Sequence, residues 1–408
     1  MMRVPSLPLL LAGLALLAGA GAFLLWPEQR PLPGAALDGA ALAAALEALD
    51  EDEDAGAGAP SAGPLRFPAD HGPHPDSRGE LWDLSALVGD DRGHRYGLRL
   101  GFVRVALAPA PRQRASDFAA EAVVAARFAI AAEGNGPAVV AVRASRTALG
   151  LAGAAHDAAA GDPSAAAAST VWVGDWRLTR RAGGLLRVEV ADDAGAAALT
   201  LTPDPDPLVA DAAELLERGP GGAGAPALRL YLQPRLAVSG TLTLDGVRRP
   251  VTGIAWLDHG WGALGTVVGG RRGRLALNRF ELMLDGGPTL ACIQLRRQAG
   301  GGTPVPSCLV IAADGATGVL RRRDLTLEPA GARWTSPDGV AYPLHWRLAA
   351  PALDLTLDIR PLIPDQRQAL GVPIWSGIVV VEGRQGGAAI NGSGRMDLTG
   401  YAGAAAGT

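Results

Sequence analysis

Residues 256–261 bring a carboxylic acid, an imidazole and two indole rings together within a short stretch. A carboxyl group held neutral in an apolar pocket can donate a proton, and a neighbouring histidine can act as a base. The face of an indole, here Trp256 or Trp261, can stabilise a cation. On a strand, however, Asp258 and His259 face opposite ways, so both enter one cavity only if the strand bulges. The alternative is a buried, hydrogen-bonded corner between strands.

A second polar group lies earlier in the chain. Its members are of types that can ligate zinc: Asp70, His71, His74, Asp76 and Glu80. Prolines make this segment stiff and extended rather than helical, and no further residue is seen to complete a ligand set. We therefore expect a loop tied down by hydrogen bonds of its own Asp and His side chains, with no metal or other cofactor.

Glu80 and Trp82 alternate into the next predicted strand and share one of its faces. If that face lines a barrel lumen, Glu80 is the best-placed acid in the first half of the body. Otherwise Glu80 is a buried carboxylate that pairs with an arginine such as Arg99.

The elements that must position these residues are strands. Short apolar or alternating runs recur from residue 67 onward, and residues 98–105 and 353–359 alternate with period two. Turn dipeptides such as Asp245-Gly246 separate the runs. Few helical patterns occur, so the sequence predicts an all-β fold of sandwiches or barrels. The Gly-x-Ser-x-Gly and P-loop motifs are absent from the sequence, which gives no support to a serine hydrolase or a P-loop enzyme.

Charge and hydropathy limit the partners and the location. The net charge of −4 at pH 7 argues against a nucleic-acid partner. The uncharged run at residues 4–26 is long enough to span a bilayer as a helix. We expect residues 1–27 to be a cleaved signal peptide or an uncleaved anchor in the inner membrane, and both alternatives place the body outside the cytoplasm. Residues 28–64, rich in Ala, Gly and Pro with an acidic run, are expected to form a linker.

Two cysteines are present, Cys292 and Cys308, on two strand-like runs joined by a glycine-rich stretch. In an oxidising compartment they can form a disulfide across a hairpin. Two buried free thiols are the alternative.

An ordered series of motifs extends from about residue 66 to residue 402. It includes Phe67-Pro-Ala-Asp-His-Gly-Pro-His, Glu80-Leu-Trp-Asp, Pro234-Arg-Leu, Val251-Thr-Gly-Ile-Ala-Trp-Leu-Asp-His-Gly-Trp-Gly and Gly394-Arg-Met-Asp-Leu-Thr-Gly-Tyr. This series resembles the AttH-like / carotenoid 1,2-hydratase family. The resemblance implies two lipocalin-like antiparallel β-barrel domains, at residues 65–226 and 227–403, before a tail at 404–408. It also implies a periplasmic location and a link to ABC-type export permeases.

The hydratase branch of this family adds water to a terminal double bond of acyclic carotenoids. The sequence departs from the family pattern at Gly260 and Ser376, where a glutamate is usual, and at Arg127, where a histidine is common. Polar side chains are thus lost while the framework motifs remain, which favours binding over catalysis.

We therefore expect an exported lipocalin-like protein that binds an apolar ligand, a lipid or an isoprenoid, with an ABC transporter permease as a candidate partner. The residues expected to line its ligand site are Trp82, Trp256, Trp261, Tyr231 and Trp375. The alternatives are a hydratase-like enzyme acting on an acyclic isoprenoid and a scaffold of two filled barrels without a ligand. The expected catalytic residues of the enzyme are Asp258, Glu80 and His259.

Overall fold

The computed structural model describes residues 64–107, 119–156, 168–181, 183–203, 210–211, 228–262, 275–297, 303–369 and 373–401. The expected signal or anchor, the linker up to residue 63 and the tail lie outside these ranges. No helix in the described part of the chain is long and apolar enough to cross a membrane.

The described residues form antiparallel strands in two large sheets, which we call sheet A and sheet B, and in one small sheet. The strands of sheet A are β1 (Gly79–Gly89), β2 (Arg95–Ala106), β3 (Ala122–Ala132), β4 (Val139–Arg146), β5 (Ala152–His156), β6 (Ser169–Val173), β7 (Trp176–Arg180), β8 (Leu186–Asp192), β9 (Gly195–Thr202), β10 (Ala210–Asp211), β11 (Leu228–Leu244) and β12 (Val247–Gly262). Those of sheet B are β13 (Leu275–Leu284), β14 (Thr289–Arg297), β15 (Val305–Ile311), β16 (Thr317–Arg321), β17 (Thr326–Pro329), β20 (Trp346–Ala350), β21 (Leu355–Pro361), β22 (Arg367–Ala369), β23 (Pro373–Gln385) and β24 (Ala388–Leu398). The small sheet pairs β18 (Trp334–Thr335) with β19 (Ala341–Tyr342). Two short 3-10 helices span Ala69–His71 and Pro351–Leu353.

Sheet A is a nearly closed barrel and sheet B a half-barrel. The strand order in sheet A is β4-β3-β2-β1-β12-β11-β9-β8-β7-β6-β5, with β10 on β11, and its two ends, β4 and β5, are in contact. The order in sheet B is β16-β15-β14-β13-β24-β23-β21-β20-β17, with β22 on β23. The predicted all-β, lipocalin-like fold is confirmed.

Alternating side chains fill barrel A. On β1, every second residue from Trp82 to Val88 enters one apolar core shared with the other strands of the barrel. A fully buried large apolar side chain contributes about 1.5–3 kcal/mol, so this filled interior holds the barrel closed. A separate apolar cluster lies between the sheets, where Trp256 of β12 packs with Met283 and Leu309 of sheet B.

The longest hairpin joins β11 and β12 through Asp245 and Gly246. Both residues have positive φ, 52° and 71°, and Leu244 pairs with Val247. This is the two-residue loop that the Asp-Gly dipeptide predicts.

The first two strands after the undescribed residues 212–227 belong to sheet A. Strand β11 pairs with β9, and β12 pairs with β1. The change of sheet therefore falls between Gly262 and Leu275. The predicted domain boundary at 226/227 does not coincide with this change of sheet, and the division into domains stays a prediction.

A disulfide joins Cys292 of β14 to Cys308 of β15. The two residues face each other across the strand pair, and both are buried in the core of sheet B. The bridge therefore links neighbouring strands within one half-barrel.

We expect reduction of this bridge to lower the free energy of unfolding by about 2–4 kcal/mol, since it frees the unfolded chain from a closed loop. Urea unfolding with and without dithiothreitol measures the difference. The double variant Cys292→Ala, Cys308→Ala is the control and should not respond to the reductant. Equal midpoints for the wild-type protein in both conditions would contradict this prediction.

Candidate functional site

Strand β12 sends alternate side chains to opposite sides of sheet A. Leu257 enters the barrel core and His259 contacts Glu80, whereas Trp256 and Asp258 face sheet B. The expected alternation is confirmed. Asp258 and His259 do not share a cavity, so they form no acid–base dyad.

Glu80 lies at the centre of a hydrogen-bonded group at one end of barrel A, and its side chain is fully buried. Its Oε1 is 2.9 Å from His259 Nε2 and 3.0 Å from His74 Nδ1. The His74 backbone N–H donates to both carboxylate oxygens, and Arg104 Nε donates to Oε2 over 3.2 Å. The pairing with Arg99 expected from the sequence is not formed, because that guanidinium contacts other carboxylates.

These donors keep Glu80 ionised. Burial alone would raise the pKa of Glu80, but the hydrogen bonds from His259 and His74, with the nearby Arg104, outweigh it and hold the pKa at about 2. Glu80 therefore acts as a hydrogen-bond acceptor and not as a proton donor near neutral pH.

The loop before β1 is tied down largely as the sequence predicts. Asp70 accepts the Arg66 backbone N–H, and its Oδ1 lies 3.5 Å from His74 Nε2. His259, which is 179 positions from Glu80, is the member that the sequence did not connect to this loop. The ligand-type atoms of His74, Glu80 and His259 all lie within 4.8 Å of one another.

Indole rings hold the two imidazoles in place. His74 stacks on Trp261 with ring centroids 3.6 Å apart and planes 6° apart. His259 stacks on Trp82 at 4.8 Å and 19°. Trp82 and Trp261, both expected ligand-binding residues, thus position the imidazoles of this group.

A cavity of about 10 Å³, enough for about one water molecule, lies beside this group in barrel A. Its apolar wall comes largely from the barrel core, and its polar wall from the loop before β1 and neighbouring strands. The lining consists of His71, Pro73, Trp82, Ser169, Thr170, Val171, Leu178, Arg180, Leu186, Tyr231 and Leu257. Two expected ligand-binding residues, Trp82 and Tyr231, are among them.

His71 and Tyr231 form the polar pair of the cavity, with 2.9 Å between the imidazole Nδ1 and the phenol oxygen. Burial, with Arg180 and His259 nearby, lowers the pKa of His71 to about 3. Burial also raises the pKa of Tyr231 to about 12, although Arg180 opposes it. Both groups are therefore uncharged near neutral pH.

A second charged cluster, which we call the inter-sheet network, lies between sheets A and B. It contains four acids and four arginines: Asp83, Asp258, Glu281, Asp397, Arg99, Arg127, Arg279 and Arg395. The formal charges balance, as buried ion pairs require.

Arg395 is the fully buried centre of this network. Asp83 of β1 and Asp258 of β12 face each other directly across the strand pair, where like charges repel. Arg395 of sheet B reaches both, with Nη1 2.8 Å from Asp83 and Nη2 2.5 Å from Asp258. Its Nε lies 2.8 Å from Glu281. One guanidinium thus neutralises the repulsion within sheet A and links the two sheets.

Burial raises the pKa of Glu281, and the neighbouring Asp397 and Asp83 add to the effect, while Arg279 and Arg395 oppose it. Glu281 is therefore a carboxyl group whose pKa lies above its usual value. It lies across sheet A from the cavity.

The other expected site residues lie away from the cavity. Trp256 donates its indole N–H to Asp258 over 2.6 Å within the inter-sheet network. Trp375 is buried in the core of sheet B and donates to the Pro364 carbonyl over 2.8 Å. The structure therefore divides the expected residues between the barrel end, the inter-sheet network and sheet B.

The departures from the family pattern lie at positions that face the space between the sheets, with Arg127 and Gly260 on sheet A and Ser376 on sheet B. Ser376 donates to Asp397, and Arg127 lies 3.9 Å from Asp83. A Cβ at Gly260 would lie 3.1 Å from both the Arg229 carbonyl and a Leu230 methyl. A glutamate at position 260 would therefore require its neighbours to shift.

Comparisons with known proteins agree with this architecture. A family model described as AttH-like matches residues 59–401. A crystal structure of a protein from Nitrosomonas europaea, described as an AttH, is 24% identical with a TM-score of 0.66, covering 85% of this chain and 99% of its own. Kievitone hydratase from Nectria haematococca is 15% identical with a TM-score of 0.53, covering 82% and 92% respectively. These two structures show a shared fold. No curated protein matches the chain.

We expect Arg395→Met to destabilise the protein by about 3–5 kcal/mol, because it removes the central positive charge from a cluster of four buried carboxylates. Arg384→Met, at an exposed position of β23, should change stability by less than about 0.5 kcal/mol. Urea unfolding of both variants measures the difference. Equal effects at the two positions would contradict the role assigned to Arg395.

We also expect stability to fall as the pH drops below about 6.5. The lowered pKa of His71 keeps this residue neutral in the folded protein, while the unfolded chain takes up the proton. The loss from one such group is at most about 1.4 kcal/mol per pH unit. His71→Gln should therefore flatten the pH dependence of the unfolding free energy between pH 6.5 and 5. An unchanged slope would show that His71 does not carry this effect.

Proposed function

This chain belongs to the AttH-like family, and from that premise we propose that it binds a small, mainly apolar molecule with one polar end at the cavity of barrel A. The divided lining of the cavity carries the proposal. Leucine and tryptophan side chains form one wall, and His71, Tyr231 and Arg180 form the other. Apolar sites with a few converging polar groups are typical of small-molecule binding.

The filled barrel limits how the ligand sits. The apolar core occupies the interior, and the cavity has room for only about one water molecule. Only the terminal polar group of a lipid or an isoprenoid therefore enters it, next to Tyr231 and His71. The rest of the ligand lies outside the cavity.

Alkene hydration, the alternative from the sequence, is less well supported. Protonation of an alkene needs a strong neutral acid beside the substrate. Glu80 is ionised, and Asp258 is bound to Arg395 on the other side of sheet A. Glu281, whose pKa is raised, also lies on that other side.

We further propose that the protein lies outside the cytoplasm, with residues 4–26 as signal or anchor, and that an ABC-type export permease is its partner. The apolar run in the sequence supports the location, and so does the disulfide, since such bonds persist in oxidising compartments. The permease rests on the family resemblance alone.

Titration with geraniol, an acyclic isoprenoid alcohol, followed by tryptophan fluorescence, tests the proposed site. We expect Tyr231→Phe to weaken binding about tenfold, because it removes one hydroxyl that can bond the polar end. Tyr342→Phe is the matched control, since the hydroxyl of this buried tyrosine of β19 has no hydrogen-bond partner among the described residues. The affinity of this control variant for geraniol should equal that of the wild-type protein.

Mass spectrometry of an organic extract from natively purified protein provides an independent test. A fatty or isoprenoid compound supports the proposal. A compound heavier by one water than a co-extracted alkene would favour the hydratase instead. Absence of both geraniol binding and any extracted compound would overturn the binding proposal.

A further inference from the structure

Three potential metal ligands lie together at the end of barrel A, where two imidazoles contact one carboxylate oxygen. His74 comes from the loop before β1, Glu80 from β1 and His259 from β12. The two imidazole nitrogens lie 3.0 and 2.9 Å from Glu80 Oε1, and all three ligand atoms lie within 4.8 Å of one another. We propose that His74, Glu80 and His259 form a binding site for a divalent metal ion with the properties of zinc.

The two nitrogen–oxygen separations are close to those of a metal site. With metal–ligand bonds of about 2.1 Å, two ligands of a tetrahedral ion lie about 3.4 Å apart. The nitrogens therefore need to move from Glu80 Oε1 by only about half an ångström. Glu80 can bind the ion through Oε1 while Arg104 keeps its hydrogen bond to Oε2.

The unused ring nitrogen of His74 has the acceptor that a metal-binding histidine needs, whereas that of His259 has none among the described residues. A histidine that binds a metal through one nitrogen carries its proton on the other. For His74 that other nitrogen is Nε2, which faces Asp70 Oδ1 at 3.5 Å. For His259 it is Nδ1, a buried atom that has no hydrogen-bond partner in the described structure. Metal binding would place the ring proton of each histidine on this second nitrogen.

The donor set selects the class of metal. Two imidazoles and one carboxylate suit zinc and its transition-metal neighbours, whereas magnesium and calcium prefer oxygen ligands alone. Three protein ligands leave a fourth position for water, as in catalytic zinc sites. The His74 side chain is 20% exposed while the other two are fully buried, so an ion reaches the site from the side of His74.

Two other histidine–carboxylate pairs in the described residues provide comparisons. His94 lies 3.0 Å from Asp90, and His345 lies 2.8 Å from Asp358. Neither pair belongs to a described group of three potential ligands. This difference makes His94 a suitable control position.

The test is zinc binding to the full chain after treatment with EDTA and removal of the chelator. We expect one zinc ion per wild-type chain by elemental analysis after dialysis. His74→Gln should weaken binding at least about tenfold, and His94→Gln should leave it unchanged. Cobalt should give the wild-type protein a visible absorption spectrum that His74→Gln lacks.

Asp70→Asn guards against a folding defect of the first variant, since it leaves all three proposed ligands in place and changes the carboxylate that faces His74. We expect it to weaken zinc binding about tenfold or more. A wild-type protein that takes up no zinc overturns the proposal. So does equal zinc binding by wild type and a folded His74→Gln variant. Both outcomes leave the geraniol test of the cavity unaffected, so the two proposals can fail separately.

Discussion

The pairing of β1 with β12 is the constraint on which both polar clusters depend. It places Trp82 opposite His259 and Asp83 opposite Asp258. Because side chains alternate across a strand, one ladder supplies the barrel end with Glu80 and His259, and the inter-sheet space with the two aspartates. The same hydrogen bonds that join the two halves of sheet A therefore also fix the geometry on its outer face.

Electrostatics differ between the two sides of this ladder. On the barrel side, one buried carboxylate is satisfied by donors from two histidines and one arginine. On the outer side, four acids and four arginines compensate one another between two sheets. Transferring charges from water into the protein interior is unfavourable, so such a network is stable only where each charge has a partner. Arg395 meets that condition by contacting acids from both sheets.

Local features of the fold follow from the sequence, and long-range ones do not. Period-two alternation correctly indicates strands, and Asp245-Gly246 indicates the hairpin between β11 and β12. The same alternation places Glu80 and Trp82 on one face of β1, which is the face that enters the barrel. By contrast, β1 and β12 are about 170 residues apart in the chain, and the sequence of neither segment indicates which strand it pairs with.

The same distance explains what was missed at the site. The loop before β1 offers an incomplete ligand set, and its third member, His259, becomes visible only once the strands pair. Arg395, one of 37 basic residues, is likewise distinguished only by the acids around it.

The alternation of β12 also restricts how this segment can change in evolution. An insertion or deletion of one residue between Gly253 and Trp256 would turn every following side chain to the opposite face. His259 would then point to the sheet interface and Asp258 into the apolar barrel, so both clusters would be lost in one event. Point substitutions can alter one face while sparing the other. This stretch of chain should therefore vary in residue identity while keeping its length, and its two faces should diverge independently.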